Sequence, residues 1–267
     1  MNNRQYLVSV FEDSMAKIEN DRFLSDSVRQ SVQSQQFIAH ERIVPLPSPR
    51  FDRNAPVLTS RDRTFEAALR YKTAYPEARV AVLNFASATI PGGGVVAGAS
   101  AQEECLCRVS TLYPCLKDKR MWYLFYSPHR ISQNPLHNDD IIYTKNVQVF
   151  KDDDYRDLAR PVPVDVITCA APNLMEDTSL LSQELYVLHT QRWGKILSVA
   201  AANEADVLIL GAFGCGAFRN DPYVVAQAFK SVAPEYLYSF KTIEFAVYCR
   251  ETDIQNYTAF SDVLSQL

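Results

Sequence analysis

Short apolar runs alternate with longer amphipathic segments from about residue 79 onward. The apolar runs predict strands at residues 80–83, 141–143, 148–150, 164–169, 207–210 and 243–248. Apolar residues at helical spacing predict helices at residues 103–113, 179–202, 222–232 and 254–266, and Pro114 is expected to end the first of them. This alternation predicts an α/β fold, a three-layer α/β/α sandwich on a mixed sheet.

The first 75 residues show a different pattern, which predicts a helical N-terminal extension. Apolar residues recur at helical spacing from Tyr6 to Ile18, and residues 64–75 predict a second helix. Between them, residues 43–56 contain four prolines and are predicted to form an extended linker. We therefore expect a single domain over residues 1–267, with the extension at 1–75 and the α/β core at 76–267.

Composition narrows the class of protein. A net charge of −4 over 267 residues gives no sign of a broad nucleic-acid surface. No apolar run reaches about 18 residues and the N-terminus does not resemble a signal peptide, so we expect an intracellular, cytoplasmic protein without a membrane span. We also expect a monomer. The six cysteines form no CxxC pair and do not cluster with the four histidines. Free buried thiols are therefore expected, with no metal and no cofactor.

Glycine is scarce and concentrated. Of eight glycines, seven fall in or beside two segments, residues 92–98 and 211–216. The first segment follows the predicted strand 80–83 and leads to Gln102-Glu103-Glu104. Ser100 and Glu103 have the spacing of a capping box, with Ser100 as N-cap. A glycine loop before a helix N-terminus favours phosphate binding through backbone N–H groups, and the adjacent carboxylates add a candidate acid/base.

The second glycine segment follows the predicted strand 207–210. Asp221 is a candidate N-cap, with Pro222 at the first helical position. Loop amides here are also candidates to grip a diphosphate. Because ligands of α/β folds bind beyond the carboxyl ends of the strands, both glycine loops are expected to reach one cleft.

Two long segments carry a family resemblance. VLNFASATIPGGGVVAGASAQEECLCRVSTLYPCL, at residues 82–116, and VLILGAFGCGAFRNDPYVVAQAF, at 207–229, resemble the bacterial-type poly(ADP-ribose) glycohydrolases, which are macrodomain proteins. Weaker similarity lies at residues 138–153, 166–173 and 243–249. The resemblance implies hydrolysis of ribose–ribose O-glycosidic bonds in poly(ADP-ribose). It also implies Glu104 as catalytic acid, Glu103 at the scissile ribose and Phe218 beside the distal ribose.

Plainer roles remain open for several of these residues. Glu103 is also explained as a helix-capping carboxylate, and Glu104 as a surface residue. Phe218 is also explained as a core plug, the role that we expect for Phe213. Asn84 either satisfies backbone groups at the strand exit or contacts ribose. The eukaryotic enzymes carry Asn where Ser87 stands.

The sequence thus predicts a catalytic pair and a set of substrate contacts. The catalytic residues are Glu104 and Glu103. The predicted substrate-binding residues are Asn84, Gly92, Gly93, Gly94, Val95, Gln102, Gly214, Cys215, Gly216, Ala217, Phe218 and Asn220. Expected partners are ADP-ribose and its polymer, with ADP-ribosylated proteins as further candidates. Two rival functions remain: a hydrolase of mono-ADP-ribose on proteins, and a non-catalytic ADP-ribose reader.

Overall fold

The structure is a computed structural model that describes residues 2–46, 48–175, 180–265 and 267. The α-helices are α1 (Asn3–Asn20), α2 (Arg22–Ser34), α3 (Thr64–Ala74), α4 (Gln102–Val109), α5 (Leu112–Leu116), α6 (Lys119–Met121), α7 (Ser127–Ser132), α8 (Ser182–Ala202), α9 (Pro222–Val232) and α10 (Gln255–Leu264). The strands are β1 (Gln36–Ile38), β2 (Val57–Ser60), β3 (Val80–Phe85), β4 (Ile141–Lys151), β5 (Asp157–Cys169), β6 (Val207–Leu210) and β7 (Thr242–Ala246).

The fold is mixed α/β with a seven-stranded mixed sheet, so the predicted fold class is confirmed. The chain divides into two compact units. Unit 1 holds residues 1–38, 84–134 and 140–169, and unit 2 holds residues 39–83, 135–139 and 170–267.

Unit 1 contains the strand order β1-β4-β5, with both pairings antiparallel. The N-terminal helices belong to it and are anchored by buried polar contacts. Ser14 in α1 donates to the carbonyl of Arg108 at 2.6 Å, and Gln35 after α2 donates to Thr144 Oγ1 at 2.8 Å. The first half of the predicted extension, up to Ile38, therefore belongs to this unit, whereas residues 39–75, with α3, belong to unit 2.

Unit 2 contains the strand order β3-β6-β7-β2, and all of these pairings are parallel. An aromatic cluster fills its core around Trp193 of α8, which packs against Phe213, Phe229 and Phe245. Because parallel strands share a direction, the segment after β6, which carries the second glycine loop, leaves at the carboxyl edge of this group.

The prediction for residues 1–75 was incomplete. It missed α2 and the strands β1 and β2, which pair with β4 and β7. These strands have only three and four residues, too few to show an alternating pattern. Residues 43–56 have no regular structure where they are described, as predicted, and Pro47 lies outside the described residues.

Several predicted boundaries were wrong; the strand predicted at 164–169, for example, begins at Asp157, and the one predicted at 243–248 ends at Ala246. Residues 141–143 and 148–150 belong to one strand, β4, with a shift of register between Thr144 and Val147. The helix predicted at 103–113 ends at Val109, before Pro114, because Ser110 turns to extended backbone and pairs with Val149. Pro114 instead lies in the first turn of α5, where proline is tolerated. Ser179 and Gln266, the predicted limits of two helices, lie outside the described residues.

None of the helices that the structure describes combines the length and the apolar composition that a membrane span requires.

Candidate active site

Side chains in the first turn of α4 form hydrogen bonds with the end of β3 and with the first glycine loop. The predicted capping box is wrong: Ala101, not Ser100, is the N-cap, it makes no side-chain cap bond, and Glu103 is the second helical residue. Gln102 Oε1 instead accepts from the N–H of Phe85, the last residue of β3, at 2.8 Å. Gln102, in the first turn of α4, therefore binds the backbone at the end of β3, and the N-terminus of α4 has no side-chain cap.

Glu103 is buried and its carboxylate is held from several sides. It is 3% exposed. Its Oε2 accepts from the Ser87 N–H at 2.8 Å, and its Oε1 accepts from Asn84 Nδ2 at 3.2 Å. Asn84 also donates to Thr168 Oγ1 at 3.2 Å. The Asn84 amide nitrogen thus bonds to the side chains of Glu103 and Thr168 rather than to the backbone of the strand exit, and its contact with ribose stays a prediction.

The pKa of the Glu103 carboxyl is raised to about 8. Burial is the largest cause, and the charge of Glu104 adds to it. Hydrogen bonds from Ser87, Asn84 and the Gly92 backbone act in the opposite direction. A carboxyl group with this pKa holds its proton over much of the neutral range.

Glu104 is fixed by the glycine loop itself. Its Oε1 accepts from the Gly94 N–H at 2.8 Å, and Glu104 is only 7% exposed. Its Oε2 is buried and has no hydrogen-bond partner among the described residues. One oxygen is thus positioned by the backbone while the other is left for a ligand hydroxyl or a water molecule.

The triple glycine serves these carboxylates, which sequence reasoning did not predict. Gly92 and Gly93 have φ of +70° and +56°, a region that favours glycine. A Cβ on Gly93 would collide with Glu104 Oε1, and a Cβ on Gly92 would lie 2.6 Å from the Tyr113 ring. These two positions therefore require residues without a Cβ, because the loop passes close to Tyr113 and to Glu104 in the first turn of α4.

The backbone donors of this loop point into the protein. Gly92 donates to Glu103, Gly93 to the Ile90 carbonyl at 2.9 Å, Gly94 to Glu104, and Val95 to the Gly92 carbonyl at 3.2 Å. The predicted diphosphate cradle at this loop is therefore not formed by these amides. Val95 is fully buried, so its side chain packs in the core, contrary to the prediction of a substrate contact.

The second glycine loop has the opposite character. Asp221 is the N-cap of α9, as predicted, accepting from the N–H groups of Tyr223 and Val224. Gly216 and Ala217 are exposed, and a Cβ added to Gly216 would meet nothing within 4 Å. Within the part of the chain that the structure describes, the N–H groups of Gly216, Ala217 and Phe218 have no acceptor. This loop therefore keeps free backbone donors on an open surface.

Other predicted residues of this loop are structural. Gly214 has a φ of +79°, and a Cβ there would lie 2.7 Å from Ala171 Cβ. Asn220 was predicted to bind substrate, but it is 2% exposed and its side chain bonds to His189 and to loop carbonyls. Phe213 is fully buried beside Trp193, as expected for a core residue, whereas Phe218 is half-buried.

Cysteine and metal chemistry gain no support from the geometry. Burial raises the pKa of the Cys215 thiol well above its ordinary value, which disfavours the thiolate. All six cysteines are free thiols. Among the described residues, no group of three His, Cys, Asp or Glu side chains is arranged to hold a metal ion.

Known proteins with solved structures resemble this chain over nearly its whole length. The poly(ADP-ribose) glycohydrolase (PARG) of Thermomonospora curvata is 30% identical with a TM-score of 0.90, over 97% of this chain and 100% of that one. The same enzyme bound to the inhibitor ADP-HPD is 32% identical, with a TM-score of 0.88 over 97% and 99%. The PARG of Deinococcus radiodurans in complex with ADP-ribose is 33% identical, with a TM-score of 0.79 over 90% and 98%.

A family model agrees with these structures. The model described as microbial-type PARG, catalytic domain, matches residues 10–152, which include β3, the triple glycine and α4. No curated protein matches the sequence significantly. The resemblance inferred from the two glycine segments is thus confirmed, and the chain belongs to the microbial-type poly(ADP-ribose) glycohydrolase family.

Proposed function

We propose that this chain hydrolyses the ribose–ribose O-glycosidic bonds of poly(ADP-ribose) and releases ADP-ribose. The observation that carries the proposal is the Glu104 carboxylate in a chain of this family. One of its oxygens is fixed by the Gly94 N–H, and the other has no partner among the described residues. Binding alone would not require a buried carboxylate held in this way.

Glu104 acts as both acid and base in the proposed reaction. Its carboxyl proton passes to the leaving oxygen as the C1″–O bond breaks, and positive charge develops on the distal ribose. The resulting carboxylate then takes a proton from the attacking water, so the proton is restored to Glu104. Because Gly94 holds Oε1, proton transfer is assigned to Oε2.

Glu103 prepares the site beside it. Its buried carboxyl keeps a proton near neutral pH, which limits repulsion of the Glu104 carboxylate that forms during the cycle. A protonated carboxyl group has one O–H donor and keeps acceptor lone pairs, so Glu103 can donate to a hydroxyl of the scissile ribose while accepting from Ser87 and Asn84. Gln102 contributes by holding the Phe85 backbone.

The second glycine loop is proposed to bind the diphosphate. Its support is the set of unpaired N–H groups at Gly216, Ala217 and Phe218, because successive backbone amides form anion-binding concavities. Cys215 supplies a small side chain in this loop. The half-buried Phe218 ring is proposed to lie against the distal ribose, because an aromatic ring can pack its apolar face on a sugar ring.

Substrate choice separates this function from its rivals. Purified protein is incubated with poly(ADP-ribose) and, separately, with protein carrying mono-ADP-ribose, and free ADP-ribose is measured. We expect release from the polymer, and none with Glu104→Gln. Release only from the mono-modified protein would favour a mono-ADP-ribosyl hydrolase, and binding without release would favour a reader. A monomeric state and an intracellular location remain predictions from the sequence.

A further inference from the structure

We propose that two buried polar residues of α8, His189 and Arg192, position Phe218 for the reaction. They lie three residues apart, so they share one face of the helix. Both are almost fully buried, at 0% and 1% exposure. The inference rests on the proposed function, in which Phe218 lies against the distal ribose.

His189 holds the second glycine loop through Asn220. His189 Nε2 lies 2.7 Å from Asn220 Oδ1. The Asn220 amide nitrogen donates to the carbonyls of Pro172 at 2.7 Å, Gly214 at 3.0 Å and Phe218 at 3.2 Å. Three carbonyl acceptors identify that end of the amide as the NH₂ group, so Oδ1 faces His189 and the histidine carries its proton on Nε2.

Arg192 holds a second segment, residues 135–139. Its Nε donates to Asp139 Oδ1 at 2.7 Å, and its two terminal nitrogens donate to the Leu136 carbonyl at 3.3 and 3.4 Å. This segment carries His137, whose ring centroid lies 6.2 Å from that of Phe218. Arg192 therefore fixes the side of the Phe218 ring that His189 does not reach.

Residues 172–174 connect the two held segments. The Asn173 N–H donates to the Pro135 carbonyl at 2.8 Å, and the Leu174 N–H donates to the Phe218 carbonyl at 2.9 Å. The Phe218 carbonyl thus accepts from both Leu174 and Asn220, while its ring packs on His137. Backbone and ring of Phe218 are both located by groups anchored on α8.

A core role for His189 and Arg192 would not need this pattern of bonds. An apolar side chain would fill the same volume without burying a guanidinium or an imidazole, which is costly unless each is paired. The hydrogen bonds that the structure gives to the His189 Nε2 atom and to the Arg192 guanidinium go to Asn220 and to residues 136–139, around Phe218. This arrangement is suited to holding the loops around Phe218 in one geometry. Small errors in the position of a group at the site reduce turnover more than binding.

The test compares His189→Leu with His189→Gln, and Arg192→Met with Arg192→Lys. Gln191→Ala is the control, because Gln191 lies between the two on α8 and is exposed. For each variant we measure kcat and KM on poly(ADP-ribose), ADP-ribose affinity by calorimetry, and thermal unfolding. We expect His189→Leu and Arg192→Met to lower kcat about tenfold or more, with ADP-ribose affinity within about threefold of wild type. His189→Gln restores an N–H donor and should recover much of kcat.

Two results would overturn the inference. One is an early melt for His189→Leu and Arg192→Met with unchanged kcat per folded molecule, which would make both residues structural only. The other is equal loss for His189→Gln and His189→Leu, which would remove the role of the donated hydrogen bond. If the wild-type protein itself releases no ADP-ribose, the proposed function fails instead, and ADP-ribose binding by these variants is then the remaining readout.

Discussion

The Gly94 N–H donates to Glu104 Oε1 at 2.8 Å, and this bond joins the glycine loop to the proposed catalytic carboxylate. The neighbouring Gly93 has a positive φ and no room for a Cβ on the side of Glu104. The loop therefore acts as a template for the carboxylate. Its backbone amides hold protein groups rather than phosphate.

Gly93→Ala should lower kcat by about tenfold or more. The added methyl group would collide with Glu104 Oε1 and displace the carboxylate from the Gly94 N–H, and small displacements of a catalytic group are costly. Steady-state kinetics and ADP-ribose titration of the variant measure the effect. Strong loss of ADP-ribose affinity with kcat intact would instead place the diphosphate at this loop.

Gly216→Val should weaken ADP-ribose binding about tenfold, a loss of about 1.4 kcal/mol. A Cβ at this position meets nothing in the protein, so the side chain disturbs a ligand and not the fold. Gly194→Val in α8 is the matched control, since a Cβ there also meets nothing within 4 Å. Calorimetric affinities that are equal for the two variants would move the diphosphate away from the second loop.

The buried Glu103 should make stability fall as the pH rises. Its pKa is about 8 in the folded protein and near 4.5 when exposed, so the unfolded state loses the proton first. The stabilising contribution is full below about pH 4.5 and is lost as the pH rises through about 8. Glu103→Gln has no such titration. Its melting temperature relative to wild type should therefore rise from pH 5 to pH 9; a constant difference would contradict the raised pKa.

Phe213→Ala and Phe218→Ala should separate stability from turnover. Phe213 is fully buried against Trp193 and His189, and truncation of such a ring costs about 3–5 kcal/mol. Phe218 is half-buried and is proposed to orient the distal ribose, so its loss should lower kcat about 10²-fold with modest change in affinity. Thermal melts and steady-state kinetics on both variants distinguish a structural role from a role in turnover. An early melt and normal turnover for Phe218→Ala would make that ring a structural plug.

The sequence predicted the parts of this protein that depend on local pattern. The strand β6 and the helix α9 have the predicted bounds, because β6 is a short apolar run and α9 is an amphipathic segment, each with clear ends. Asp221 caps α9, as its position before Pro222 indicates. The strands β1 and β2 were missed because three or four residues acquire their structure from the partners β4 and β7.

The sequence indicates which residues are candidates for the site, but it does not indicate their contacts. Sequence order places the triple glycine near Glu103 and Glu104, but it does not show which way the amides point. The Ser87 and Asn84 bonds to Glu103 also depend on how β3 exits beside α4. The His189–Asn220 bond joins residues 31 apart and carries no local signal in the sequence.

The most direct test of the central claim is the rate of ADP-ribose release from poly(ADP-ribose) by Glu104→Gln, compared with wild type. The variant keeps an oxygen for the Gly94 N–H but cannot deliver and recover the proton. A general acid of this kind contributes about 10²–10⁴-fold, so we predict a loss of at least two decades while ADP-ribose affinity stays near that of wild type. Release within a few-fold of the wild-type rate would contradict the assignment of Glu104 as the acid.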